Sequence, residues 1–70
     1  MNRHPVSSSA IVSVGYDRAS HTLEVEFAAG TIYQYHQVAA EVYRQFMRAP
    51  SKGRFLDMNI RDEYPFSRVA

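Results

Sequence analysis

The chain has no cysteine. No disulfide can staple it, and no thiolate can hold a metal or attack a substrate. That absence fits a reducing, cytoplasmic setting. There is no tryptophan, and only three glycines are spread over 70 residues, too few and too dispersed for a glycine-rich phosphate loop. No apolar run approaches the roughly 20 residues a membrane helix needs. The start, MNRHPVSSSA, lacks the apolar stretch of a secretory signal. A strong charge imbalance is also missing. Eight cations face seven acids for a net charge of +1, which argues against a highly basic nucleic-acid binder.

The charge is distributed unevenly. Residues 1–41 carry Arg3 and Arg18 against Asp17, Glu24, Glu26 and Glu41, a balance of −2. Residues 42–70 carry Arg44, Arg48, Lys52, Arg54, Arg61 and Arg68 against Asp57, Asp62 and Glu63, a balance of +3. From Val42 through Leu56 there are four cations and no acid, a hint about partners.

Seventy residues make one domain with a thin stability margin. Residues 1–9, with Pro5 and the run Ser7-Ser8-Ser9, bury little and read as a flexible N-terminal tail. Residues 10–62 read as a single domain, and residues 63–70 as a C-terminal tail that Tyr64, Phe66 and Val69 can clip to the body. AIVSVGY places Val12, Val14 and Tyr16 on one face. TLEVEF alternates Leu23, Val25 and Phe27 against Thr22, Glu24 and Glu26, and TIYQYH sets Tyr33 and Tyr35 opposite Gln34 and His36. Such period-two patterns mean strands with one buried face, although Ile32 falls on the polar side. DRASH and AAG are too short for a crossover, so three consecutive strands form an antiparallel meander.

The period then changes. Val38, Val42, Phe46 and Ala49 recur every three or four residues, as on one helical face. Pro50 ends that helix, and Ser51 can cap a second, shorter one carrying Phe55, Leu56, Asn59 and Ile60. The expected fold is α+β: a three-stranded antiparallel meander with two C-terminal helices packed on one face.

Four segments in order resemble the KTSC domain: YDRASHTLEVEF, the hairpin glycine followed by YQY, VAAEVYRQF, and SKGRFLDMNI. The similarity runs from about Ser9 to Asp62. Its central Tyr-x-Tyr matches Tyr33-Gln34-Tyr35, its Ser-x-Gly matches Ser51-Lys52-Gly53, and a later asparagine matches Asn59. This family includes small stand-alone bacterial proteins, and the domain is also appended to the C-terminus of some lysyl-tRNA synthetases. The resemblance implies an RNA-binding role toward tRNA-like partners and no established activity.

The chemistry-bearing residues point the same way. Lys52 and Arg54 stand in the first turn of a helix, where a positive dipole end disfavours cations. Arg54 occupies the place where a glutamate would complete a capping box. Ser51, Lys52, Gly53 and Arg54 are what an anion site uses: a hydroxyl, open amides and two long cationic arms. Arg44 and Arg48, four apart on one helix face, add to that patch, and Arg61 extends it. The plain alternative is a solvated basic surface, with Glu41 pairing Arg44 at three-residue spacing. Tyr33 and Tyr35 can stack bases if exposed, though packing is the commoner use of alternating strand aromatics. Glu24 and Glu26 read as exposed, solubilising acids. His4, His21 and His36 share no metal-ligand spacing, so no metal and no cofactor is expected. No nucleophile–base arrangement stands out, which leaves a non-enzymatic domain. RNA is the first partner expected. The alternatives are a protein partner, met through a sheet edge or the segment YPFSRV, and a small anion at Ser51–Arg54.

Overall fold

A computed structural model describes all 70 residues. Five strands and two helices follow one another as β1 (His4–Pro5), β2 (Ile11–Asp17), β3 (Thr22–Phe27), β4 (Ile32–Tyr35), α1 (Ala40–Arg48), α2 (Lys52–Asn59) and β5 (Phe66–Arg68). The strands form one antiparallel sheet in the order β1-β2-β3-β4-β5, so spatial order equals chain order. No helix is long and apolar enough to cross a membrane.

The expected meander is the centre of this sheet, β2 to β4. Its two turns are closed by the residues that suggested them. Asp17 accepts from the Ala19 amide at 3.0 Å and from the Ser20 hydroxyl at 2.9 Å. Gly30 adopts φ +98° and donates to the Phe27 carbonyl at 2.9 Å. Val14, Leu23, Val25 and Tyr35 point to the helix side and are buried with Phe46, Leu56 and Ile60. Tyr16 donates a hydrogen bond to the Val38 carbonyl and stacks on Tyr43, ring centroids 4.6 Å apart, which fastens α1 to β2. Pro50 follows the last residues of α1, and the Ser51 hydroxyl caps α2 by accepting from the Arg54 amide at 3.3 Å.

The sheet has five strands rather than three because both end segments pair. His4–Pro5 aligns with Ser13–Val14, and Phe66–Arg68 aligns with Tyr33–Tyr35. Neither segment alternates over enough residues to signal a strand; each is held by what its neighbours offer. β5 borrows aromatic contact, since Phe66 stacks on Tyr33 at 5.5 Å with planes 3° apart. β1 borrows charge. Arg3 lies against the polar face of the sheet, donates to the Ser13 hydroxyl at 2.9 Å, pairs with Glu24 and reaches Glu26 at 3.8 Å. Gln34 donates to the same Glu24 carboxylate at 2.8 Å. Glu24 is therefore buried, not a solubilising surface acid.

Register is also corrected in β2. The pairing shifts between Ile11 and Ser13, a bulge that puts Val12 out of step. Ile11, not Val12, joins Val14 in the core, and Val12 is exposed.

Candidate functional site

The cationic segment folds as a hinge between the helices. Arg44 and Arg48 ride the exposed side of α1, and both turn toward Glu41, at 2.7 and 3.7 Å. Hydrogen bonds from Arg44, its charge, and the weaker pull of Gln45 and Arg48 hold the Glu41 carboxyl below the usual carboxylate range against a small opposing effect of burial. Lys52 bends back to the Ala49 carbonyl at 3.4 Å, satisfying an orphan acceptor at the end of α1. Arg54 is exposed and pairs with no carboxylate. Ser51 caps α2 with its hydroxyl oxygen as acceptor, which leaves the O–H proton free to donate. Lys52 and Arg54 thus stand at the helix junction, while Arg44 and Arg48 reach back along α1 to Glu41 in its first turn, the one carboxylate bonded to any of the four. Arg61 does not extend this cluster: it pairs with Asp57 one turn earlier, at 3.2 Å.

The two tyrosines lie elsewhere, on the sheet under α2. The Tyr35 ring is buried at 2 % exposure and cannot receive a base on its face. Tyr33 is half-buried, with Phe66 parallel to it and Phe27 edge-on at 5.7 Å and 81°. Both tyrosines line a cleft of about 370 Å³ between the sheet and α2. Its opposite wall is the stripe Gly53, Asp57, Arg61, spaced four apart along the chain. A Cβ on Gly53 would come within 3.3 Å of the Ala10 Cβ, so the missing side chain lets α2 approach Ala10 closely. Phe27, Asp57 and Arg61 were not expected in a common site. The four-residue spacing of Gly53, Asp57 and Arg61 was the available signal, and Phe66 lay in a segment read as a tail. No group of three or more His, Asp or Glu side chains converges as a metal site would require.

Fold and site together define a small α+β domain with a cationic helix junction at one place and an aromatic cleft between sheet and second helix at another. The family model of the KTSC domain matches residues 7–64, and the chain belongs to the KTSC domain family. The crystal structure of a KTSC domain protein from Yersinia pestis superposes with a TM-score of 0.93 at 41 % identity, covering 99 % of this chain and 97 % of that one. A protein of Tsukamurella paurometabola is 38 % identical over 60 residues, 86 % of this chain and 90 % of its own length. A lysine–tRNA ligase of Nostoc punctiforme is 31 % identical over 62 residues, which are 89 % of this chain and 11 % of that enzyme.

Proposed function

We propose that this chain is a non-enzymatic RNA-binding accessory domain whose helix junction meets the phosphate backbone. The observation that carries this reading is the excess of cations along the exposed side of α1 and into the start of α2: Arg44, Arg48, Lys52 and Arg54 against Glu41. The similarity to a segment of a lysine–tRNA ligase supports the choice of RNA over other polyanions. With four contacts at most, binding is weak and electrostatic, and the slope of log affinity against log salt for a single strand is about −2 to −3.

Titration of isotope-labelled protein with a tRNA and with a short single-stranded RNA, at low and at moderate salt, tests this. Amides of residues 44–54 should shift, and the shifts should fade as salt rises. The variant Glu41→Gln releases Arg44 and Arg48 from their shared carboxylate and should raise affinity a few-fold. Unmoved amides and an unresponsive variant would refute the reading. A second reading, an assembly module, is favoured by one feature: β5 is a three-residue edge strand with Phe66 exposed, and Val69 just beyond it is exposed too. Dimer formation with line broadening at residues 66–69, and no RNA response, would put that reading first.

A further inference from the structure

We propose that the cleft between β4 and α2 seats a single nucleobase, with a preference for bases that carry an exocyclic amine. Its volume of about 370 Å³ lies near the lower end for ligand pockets, roughly 300–1,000 Å³, so it suits one ring system rather than a stretch of polymer. Phe27 and Tyr33 supply aromatic surface, and Gly53 lines the cleft without a side chain of its own.

The polar groups decide the class of ligand. Tyr35 is 2 % exposed, and its hydroxyl makes no hydrogen bond within the chain. Yet no sealed side-chain polar atom lacks a partner. The hydroxyl therefore opens into the cleft that Tyr35 lines, where a ligand atom can complete it. Burial above all, with Tyr33 and Asp57 reinforcing it and Arg61 opposing, keeps that hydroxyl protonated and able to donate. Asp57 gives one carboxylate oxygen to Arg61 at 3.2 Å and keeps the other free to accept. The cleft thus presents a donor, an anionic acceptor and a guanidinium beside aromatic rings. An aliphatic ligand would leave all three unanswered, and a phosphate would meet the Asp57 charge. A heteroaromatic ring with an amino group answers them, stacking or edge contact supplying the rest.

The same base chemistry can arrive as a free nucleoside or within a strand; only the second source rests on the RNA reading above. The test titrates the intact chain with adenosine, purine riboside and an oligoadenylate, following the ring signals of Phe27 and Tyr33 and the amides of Arg44, Arg48 and Arg54. Adenosine should move the ring signals, with purine riboside, which lacks the exocyclic amine, weaker by about tenfold for the lost hydrogen bond to a charged acceptor. Tyr35→Phe, which removes only the hydroxyl, and Asp57→Ala, at an exposed position, should each weaken adenosine about five- to tenfold. Tyr35→Phe should melt at an unchanged temperature. An oligoadenylate that moves both signal sets and binds more tightly than adenosine identifies the strand as the source. Adenosine moving the rings, with the oligomer no tighter, identifies the free nucleoside and removes support from the RNA reading alone. Rings that stay still while the arginine amides respond would overturn the base pocket and leave the RNA reading standing. Wild-type affinity in both variants would also overturn it.

Discussion

Glu24 shows how one side chain can change role once its neighbours are known. Alternation put it on the polar face of β3, and that is where it lies. The face is not open, because Arg3 crosses it and Gln34 reaches across from β4. Burial alone would raise its pKa, but the hydrogen bonds from Gln34 and Arg3, with the Arg3 charge, outweigh burial and hold the carboxyl below its ordinary value. Folding therefore favours the ionised form. The contribution is complete above the unfolded glutamate value of about 4.3 and is lost as pH falls through the lower folded-state value. Glu24→Gln should cost about 1–3 kcal/mol near neutral pH, since it leaves Arg3 short of its charged partner. Urea melts across the acid range should show the variant losing less stability than the parent as pH falls. The pairing with Arg3 was illegible in the sequence, because 21 positions separate the partners and local pattern carries no information at that range. Ser51 was legible as a cap because its partner, the Arg54 amide, sits three residues on. The cationic residues were legible as a set. Their engagement with Glu41 was legible only for Arg44, whose three-residue spacing the helix enforces, and not for Arg48.

At the scale of elements, periodicity revealed those strands and helices that bury a full face. β2, β3, β4, α1 and α2 each pack a row of apolar side chains into one core, and each left its period in the sequence. β1 and β5 left none, because two and three residues cannot display a period. β2 concealed its bulge for a related reason: Ile11 and Val12 are equally apolar, and only pairing with β3 decides which one turns inward. Gly15 marks where β1 is seated. A Cβ there would stand 2.5 Å from the Asn2 carbonyl oxygen and 3.2 Å from the Arg3 side chain, so residues 2–3 pass directly over it. Gly15→Ala should push that segment off the sheet and cost about 1–3 kcal/mol, the usual range for overpacking. Hydrogen exchange localises the effect. The Val6 amide, which donates to Val12 at 3.1 Å, should lose protection while the β3 amides keep theirs. Loss of protection throughout the sheet would contradict that assignment.

In the molecule as a whole, four strands pair with neighbours one turn or loop away, whereas β5 returns after residues 36–65 and both helices. The entropy of closing that long loop delays its docking relative to the local hairpins. Phe66→Ala removes the ring that stacks on Tyr33, worth on the order of 0.5–1.5 kcal/mol. Its cost should appear as faster unfolding, with the refolding rate nearly unchanged, in stopped-flow measurements. Slowed refolding would place β5 in the folding nucleus instead. The agreement of strand order with chain order also places β1 and β5 on opposite rims of the sheet. Four inter-strand gaps of about 4.8 Å part them, roughly 19 Å in all. A linker joining those two rim strands directly would therefore need on the order of six extended residues, laid across the polar face without dislodging the arginine that lies there.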